Sequence, residues 1–257
     1  MNFEKVANHI TNWLTEYAVS AKVEGFVIGI SGGIDSAVTS TLCALTGKKT
    51  ILLSMPIRQT IAEHGRAKNH IRHMKNMYPN VEELEIDLTQ SFTQLENDLP
   101  SSTVNNHLAL ANTRSRLRML TLYAVAQSNS CLVAGTGNKV EDFGVGFYTK
   151  YGDGGVDLSP IADLMKTEVW SLGREIGVIQ EIIDAKPTDG LWEDGRSDED
   201  QIGASYPELE WAMEYTGSDK GLNERQIEVL KIYRSHNSAN KHKMNPIPVC
   251  SIPENLH

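Results

Sequence analysis

The sequence has few cysteines and no long apolar run, and both absences narrow the classes of protein to which it can belong. Its three cysteines, Cys43, Cys131 and Cys250, lie far apart and lack the paired spacing of a cysteine-bound metal ion. We therefore expect a reducing, cytoplasmic setting. No run of residues approaches the length of a membrane span, and the charged start, MNFEKVANHITNW, is not a signal peptide.

Positive charge is also scarce. The 24 lysines and arginines stand against 33 aspartates and glutamates, which gives a net charge of -9. A protein that binds nucleic acid non-specifically needs a basic face, so we expect neither a nucleic-acid nor a membrane partner. A local basic pocket for a small anionic ligand is compatible with this charge. The length of 257 residues fits one α/β domain or two small ones.

Apolar periodicity predicts strands that alternate with helices. After an amphipathic helix over residues 3–17, the predicted strands are 25–30, 49–57, 81–88 and 131–136, and the predicted helices between them are 35–47, 61–78 and 105–128. This alternation predicts an α/β fold with one doubly wound, mostly parallel sheet and helices on both faces.

Ligands bind such sheets beyond the carboxyl ends of the strands. The segments 31–36, 54–58 and 136–141 are therefore predicted to share one rim of the sheet. Residues 144–160 and 186–203, rich in glycine and polar side chains, are predicted to be functional loops that close over a ligand. Residues 240–250 are predicted to form a basic tail. Three histidines are expected to be exposed on a helix: His64, His70 and His73.

The stretch GFVIGISGGIDSAVTS, residues 25–40, has the glycines of a phosphate-binding loop but no lysine. It matches neither the Walker pattern nor the dinucleotide pattern G-x-G-x-x-G. Backbone amides at a helix N-terminus and the hydroxyls of Ser31 and Ser36 can still bind phosphate. Asp35 tolerates phosphate nearby only if a cation lies between them, which favours a Mg²⁺ ligand. The alternative is that aspartate and serine here only cap the helix.

The segment SGGIDS resembles the signature of ATP pyrophosphatases of the adenine-nucleotide α-hydrolase-like fold, and other motifs select one branch. GTGNKVEDFGVGFYTKYGDGGVDLSPIADLMKTEV resembles the NAD synthetase pattern, in which TKYGDGG is the most specific part. NTRSRLR, KPTDGL and KHKMNPIP resemble three further NAD synthetase motifs in the same order. The likeness runs from about residue 1 to 250. It implies a single NAD synthetase domain over 1–257, without the glutaminase domain of the longer synthetases.

The resemblance implies a reaction and a set of site residues. ATP adenylates the nicotinate carboxylate of deamido-NAD, and ammonia displaces AMP to give NAD. Lys166 and Asp153 are the implied catalytic residues, with Asp153 serving the ammonia step. The implied ATP contacts are Gly29, Ile30, Ser31, Gly32, Gly33, Ile34, Asp35, Ser36, Thr136, Lys166 and Thr188. The implied deamido-NAD contacts are Arg116, Lys150, Asp157, His242 and Lys243. Asp35 and Glu141 are the implied Mg²⁺ ligands, and the resemblance also implies a homodimer.

Several alternatives stay open at the level of sequence. Glu141 could be a solvated acid in the first turn of a helix, and Asp153 could only stabilise a turn. Arg114 and Arg118 could be surface charges or ion-pair partners. At the level of function, the chain could be another ATP pyrophosphatase that amidates or thiolates a nucleobase or tRNA. It could also be a non-catalytic nucleotide-binding protein.

Three positions depart from the family pattern. Ser115 replaces the usual alanine, a change that we expect to have little consequence. The segment between Glu141 and Phe147 is one residue longer than in some relatives, with an extra glycine. PTDGL, residues 187–191, has Asp-Gly where Ala-Asp is usual, which puts the ligand contacts of that loop in doubt.

Overall fold

The computed structural model describes residues 1–59, 61–188 and 197–256. Its elements follow in chain order as α1 (Phe3–Ala21), β1 (Gly25–Gly29), α2 (Ile34–Leu45), β2 (Lys49–Ser54), α3 (Ile61–Met77), β3 (Val81–Glu85), α4 (Thr89–Asp98), α5 (Ser101–Val104), α6 (His107–Ser128), β4 (Cys131–Val133), a π-helix (Val140–Val145), α7 (Lys166–Glu175), α8 (Gln180–Ile183), α9 (Asp198–Ile202), α10 (Tyr206–Glu214), α11 (Glu224–Met244) and a final 3-10 turn (Glu254–Leu256).

Four strands in the described part of the chain form one parallel sheet in the order β3-β2-β1-β4. Parallel neighbours need crossover connections, and helices supply them. Because β1 and β2 occupy the centre, the loops after them leave the sheet side by side. The loop after β4 joins them at the same edge, where Ala134 forms a further parallel bridge with Leu158.

The side chains of β1 alternate between two apolar clusters. Phe26 and Ile28 pack with α1, α2 and α7, while Val27 packs on the opposite face with α4 and α6. Successive side chains of a strand point to opposite faces, so these two clusters are the two covered faces of the sheet. The predicted doubly wound α/β fold is confirmed.

A third apolar cluster lies beside the sheet and supports the rim. It joins the π-helix, α10 and α11, with Tyr206 and Leu209 fully buried at its centre. Two side-chain amides tie α11 to the rim: Asn237 Nδ2 donates to Gly144 O at 2.7 Å, and Asn240 Nδ2 donates to Val145 O at 2.9 Å. The C-terminal half of α11 is thereby held against the loops that follow β4.

Some predicted elements differ from the structure. The strands end earlier than expected, at Gly29, Ser54, Glu85 and Val133, because the chain leaves the sheet to form the rim. The predicted loop 186–203 contains the short helix α9, and residues 189–196 of it lie outside the described residues. The predicted tail 240–250 is helical as far as Met244. No described helix is both long and apolar enough to cross a bilayer.

The expectation of three exposed histidines was wrong. His70 is fully buried between α2 and α3, where its Nε2 lies 2.8 Å from Ser40 Oγ. Burial, together with a smaller effect of the nearby His73, lowers the pKa of His70 to about 4. His70 is therefore a neutral packing residue at ordinary pH. His64 and His73 are partly buried.

Candidate active site

A cavity of about 660 Å³ opens at the carboxyl edge of the sheet. The segments after β1, β2 and β4 all contribute to its wall, as Ser31, Met55 and Thr136 show, and α6 and α11 complete it. The predicted rim is therefore confirmed as one continuous surface. Among the residues that the sequence predicts for the site, those that line the cavity are Gly29, Ile30, Ser31, Asp35, Arg116, Thr136, Glu141, Lys150, Asp153, Thr188, His242 and Lys243.

The glycine loop between β1 and α2 leaves the first turn of α2 without a side-chain cap. Gly33 is the N-cap residue and makes no capping bond through a side chain, and Gly32 adopts a positive φ of 85°. The first amides of a helix lack partners within the helix and attract anions. Ile30 and Ile34 bury their side chains, so they can offer a ligand only their backbone.

The two loop serines brace the turn. Ser31 Oγ lies 3.1 Å from Ser36 Oγ, and Ser36 Oγ donates to Gly33 O at 3.0 Å. Gly33 N in turn donates to Ser31 Oγ at 3.2 Å. These hydrogen bonds within the loop fix its conformation. A rigid phosphate site requires such a fixed conformation.

Asp35, Glu141 and Lys166 form a compact charged cluster below this loop. Lys166 Nζ lies 2.5 Å from Asp35 Oδ2 and 2.9 Å from Glu141 Oε1, and the lysine side chain is only 2% exposed. The two carboxylates raise the pKa of Lys166 against the effect of its burial. Glu141 is also buried, but Lys166 and a hydroxyl donor hold its pKa below the usual range. Glu141 is thus not a solvated helix acid.

The donor set of this cluster fits Mg²⁺ bound together with phosphates. Two carboxylates converge on one point, and with one ammonium group they leave one net negative charge. Magnesium is commonly held by one or two carboxylates plus phosphate oxygens and water. The described residues contain no group of three or more histidine, cysteine or acidic side chains that could hold a metal by themselves. A metal at this place would therefore depend on oxygens from the substrate.

Asn138 connects the two carboxylates, and the sequence analysis missed it. Its side chain is fully buried. Its Oδ1 accepts from the amides of Val140 and Glu141, both at 3.1 Å, and its Nδ2 donates to Asp35 Oδ1 at 3.2 Å. Asn138 stands three residues before Glu141, which is the spacing of a capping residue, and this signal could have identified it.

Tyr206 is a second residue that the sequence analysis missed. Its hydroxyl donates to Glu141 Oε1 at 2.5 Å, and Lys166 Nζ lies 4.8 Å from the centre of its ring. The ring face attracts an ammonium group. Tyr206 therefore stabilises both the carboxylate of Glu141 and the ammonium group of Lys166. Its position in SYPELE, at the start of a helix, gave no hint of this role.

Asp142 is a further acid in the cavity wall. Burial, followed by the charges of Glu141, Asp153 and Asp35, raises the pKa of Asp142 to about 8. Its carboxyl group lies against Gly137, where a Cβ atom would come within 2.1 Å of Asp142 Oδ2. A side chain at position 137 would collide with the carboxyl group of Asp142. The second glycine of the GTGN motif is therefore required for steric reasons.

The TKYGDGG segment forms a tight turn that packs on α6. Asp153 Oδ1 accepts from Thr149 N at 3.0 Å, so Asp153 does stabilise the turn. Oδ1 also accepts from Ser115 Oγ at 2.6 Å, and Asp153 N donates back to Ser115 Oγ at 2.9 Å. Serine at 115 thus makes two hydrogen bonds that an alanine could not make.

Basic side chains surround the other end of the cavity. Arg116 Nε donates to Lys150 O at 3.2 Å, and Lys150 Nζ donates to His242 O at 3.0 Å. Lys243 Nζ donates to Tyr148 O at 2.7 Å and to Gly146 O. Burial lowers the pKa of Lys243, and the charge of Asp153 opposes this. These bonds bring the NTRSRLR helix, the TKYGDGG turn and α11 together.

Three further predicted or open residues are engaged elsewhere. Asp157 lies outside the cavity, and its two carboxylate oxygens accept from Tyr123 OH at 3.0 Å and Val133 N at 2.8 Å. Arg118 lines the cavity and donates through Nε to Met55 O at 3.1 Å. The guanidinium of Arg114 stacks 5.1 Å from the centre of the Phe92 ring. The altered Asp-Gly pair of PTDGL lies outside the described residues.

Comparison with known proteins decides which family carries this site. The family model described as NAD synthase matches residues 6–246. The chain belongs to the NAD synthase family. Two relatives named NH(3)-dependent NAD(+) synthetase support this. The one from Alkaliphilus oremlandii is 37% identical over 96% of this chain and 98% of its own length. The one from Carboxydothermus hydrogenoformans is 38% identical over 82% of this chain and 85% of its own length.

A solved structure has nearly the same fold. It is described as NMN synthetase from Francisella tularensis, is 29% identical, and covers 99% of each chain with a TM-score of 0.85. The family match and the two relatives extend over most of this chain. They do not favour the alternative of a different ATP pyrophosphatase that acts on a nucleobase or tRNA.

Proposed function

We propose that this chain catalyses the ATP-dependent amidation of deamido-NAD with ammonia, giving NAD, AMP and pyrophosphate. The observation that carries the proposal is one cavity that joins two kinds of site. At one end lie an uncapped glycine loop and a carboxylate–lysine cluster, which suit ATP phosphates. At the other end lie basic side chains and the turn that carries Asp153. The name of the two relatives agrees with this activity.

The first proposed step is adenylation. A carboxylate oxygen of nicotinate attacks the α-phosphorus of ATP, a phosphorus–oxygen bond forms, and pyrophosphate leaves. We propose that the amides of residues 32–36 hold the phosphates and that Asp35 and Glu141 hold Mg²⁺. When bound, the ion supplies positive charge against the leaving group. The ammonium group of Lys166 offsets the repulsion between the two carboxylates. We also propose that it contacts a phosphate oxygen of ATP.

The second proposed step is amidation. Ammonium loses a proton to the Asp153 carboxylate, and the lone pair of ammonia attacks the acyl carbon. The carbon–oxygen bond to AMP then breaks, and the nitrogen loses one further proton to solvent. The intermediate must be protected from water, and we propose that residues 144–160 and the segment around Thr188 do this. The proposed contacts of the dinucleotide are Arg116, Lys150, His242 and Lys243, which line the cavity. Asp157 is a proposed contact only for a part of the dinucleotide that extends beyond the cavity.

The likeness to an NMN synthetase favours a second acceptor for the same chemistry, nicotinate mononucleotide. Both acceptors present the same carboxylate and differ in the adenylate half. A homodimer also remains part of the proposal, supported by the exposed Leu120 and Tyr123 on α6. The three free cysteines support a reducing, cytoplasmic compartment.

The purified protein is expected to make NAD from ATP, Mg²⁺, deamido-NAD and ammonium, with AMP and pyrophosphate in equal amounts. Glutamine in place of ammonium is expected to give no product by itself, since the relatives named as NH(3)-dependent match this chain over up to 98% of their own length. Chromatography of the nucleotides measures both. A parallel reaction with nicotinate mononucleotide ranks the acceptors by kcat/KM. Glutamine turnover comparable to that with ammonium would refute ammonia dependence.

Asp153→Asn is expected to slow the ammonia step about 100-fold or more, because an amide cannot take a proton from ammonium. Pyrophosphate release measured without ammonium reports adenylation and is expected to fall far less. The matched control is Asp219→Asn, which removes a charge from an exposed ion pair with Arg234. If adenylation and amidation fell in parallel in Asp153→Asn, the assignment of Asp153 to the ammonia step would be wrong.

A further inference from the structure

The hydroxyl of Ser115 is bonded twice to one residue of the TKYGDGG turn. Its Oγ donates to Asp153 Oδ1 at 2.6 Å and accepts from Asp153 N at 2.9 Å. Both the donor and an acceptor site of the hydroxyl are therefore used on Asp153. An alanine at this position would offer neither.

The hydroxyl is itself held in a fixed place. Ser115 is 7% exposed and lies in the middle of α6, a helix of 22 residues. The turn packs directly on it, because a Cβ atom on Gly152 would come within 2.2 Å of Ser115 Oγ. The position of the hydroxyl is thus set by a rigid helix, and the turn is docked onto it.

The bonds divide the two oxygens of Asp153 into unlike roles. Oδ1 accepts from Ser115 Oγ and from Thr149 N at 3.0 Å. In the described part of the chain, no side chain or backbone amide donates a hydrogen bond to Asp153 Oδ2. A carboxylate with one oxygen anchored by two donors keeps its other oxygen in one orientation and available to a ligand.

We propose that Ser115 is a positioning residue for the ammonia step, one that fixes the Asp153 carboxylate so that its second oxygen receives ammonium. The inference rests on the proposed function, because Asp153 acts on ammonia only if the chain carries out amidation. It adds to that function a residue outside the set that the sequence analysis implied for the site.

The charges around Asp153 determine how much the hydroxyl of Ser115 can stabilise the ionised form of its carboxylate. Desolvation by the surrounding protein raises the pKa of Asp153, hydrogen bonds from Ser115 and the amide of Thr149 lower it, and the charge of Glu141 raises it by a smaller amount. The charge of Asp153 raises the pKa of Asp142 and of Tyr148, and it also raises the pKa of the cationic Lys243 on α11. In this mostly negative surrounding, a hydroxyl donor favours the ionised carboxylate that ammonium requires.

Ser115→Ala tests the inference, with Ser128→Ala as the matched control. Ser128 lies on the same helix, and its Oγ donates only to the local carbonyl of Val125 at 3.0 Å. NAD formation is measured over an ammonium series and a pH series, and pyrophosphate release is measured without ammonium. Ser115→Ala is expected to raise the KM for ammonium about tenfold, which corresponds to the loss of one charge-assisted hydrogen bond. Pyrophosphate release without ammonium is expected to change far less.

The pH dependence should shift in a defined direction. Loss of a donor to the ionised carboxylate raises the pKa of Asp153, so the acidic limb of amidation should move to higher pH in Ser115→Ala. The control should keep the wild-type ammonium KM and pH limb. A hydroxyl that merely tied the turn to the helix would change both half-reactions alike and would leave the pH limb in place.

The outcomes separate the two levels of the proposal. An active wild-type enzyme whose Ser115→Ala variant keeps its ammonium KM and pH limb, or loses adenylation and amidation in proportion, would overturn the role of Ser115 alone. A wild-type protein that forms no amide under any condition would overturn the proposed function, and the role of Ser115 with it. A selective rise in ammonium KM with the shifted limb supports the role.

Discussion

Asp35→Asn is expected to lower pyrophosphate release about 100-fold or more while the protein stays folded. Asparagine has the size of aspartate and can still accept from Asn138, whose amide lies 3.2 Å from Asp35 Oδ1. It is neutral, however, and a poor ligand for Mg²⁺. A metal site contributes several kcal/mol to transition-state stabilisation, and each 1.36 kcal/mol is a factor of ten in rate. Initial rates with ATP, Mg²⁺ and deamido-NAD measure the effect.

The control for this variant is Asp163→Asn, which removes the same charge from the surface. Asp163 is 98% exposed and pairs with Lys139 at 2.9 Å. Calorimetric titration with Mg²⁺ in the presence of a non-hydrolysable ATP analogue gives a readout that is independent of turnover. Asp35→Asn should weaken this titration, and Asp163→Asn should not. Near-wild-type turnover of Asp35→Asn at ordinary Mg²⁺ would remove Asp35 from the ligand set.

Lys166→Met is expected to lower the free energy of unfolding by about 3 kcal/mol and to reduce adenylation more than any surface change. Methionine keeps the length of the side chain but leaves two buried carboxylates without a counter-charge. Removing one partner of a buried ion pair typically costs about 3–5 kcal/mol. Because the lost partner is the ammonium between Asp35 and Glu141, repulsion raises the pKa of both carboxyl groups in the folded variant.

The sign of the pH effect follows from that direction. Groups whose folded pKa is raised favour the folded state below their unfolded pKa, and this contribution is lost as pH rises through the folded pKa. The deficit of Lys166→Met relative to wild type should therefore narrow as pH is lowered. Urea melts at several pH values measure it. Lys139→Met is the control, since it breaks only the exposed pair with Asp163, worth about 0–1 kcal/mol. A pH-independent deficit would contradict the assigned charges.

The order of strands and helices followed from the sequence because each central strand is buried on both faces. GFVIG and KTILLS are nearly continuous apolar runs flanked by glycine or polar residues, and such runs have few alternative folds. The helices α4 and α5 were not predicted. Their segment, residues 89–104, is polar, and α4 buries only Phe92. Its helical form is fixed by packing on the sheet rather than by its own pattern.

The site was predictable where a residue contacts the ligand and much less so where it supports another residue. Asp35, Glu141 and Lys166 were predicted separately, and the structure brings them within 2.9 Å through one ammonium group. Tyr206 and Asn138 act through these three, at sequence separations of 65 and 103 residues from their partners Glu141 and Asp35. Such contacts depend on the tertiary fold, which no local pattern encodes.

The π-helix at Val140–Val145 is a turn that is one residue wider than an α-helical turn. Its turn closes with Gly146 N bonded to Glu141 O, five residues apart, so it holds one residue more than an α-turn. Asn138 fixes its start, and Asn237 and Asn240 of α11 bind the carbonyls at its end. Both ends of the wide turn are thus held by side chains from other segments. A change of one residue inside the turn can therefore be taken up there, and the segment from Thr149 to Asp153 keeps its place against α6.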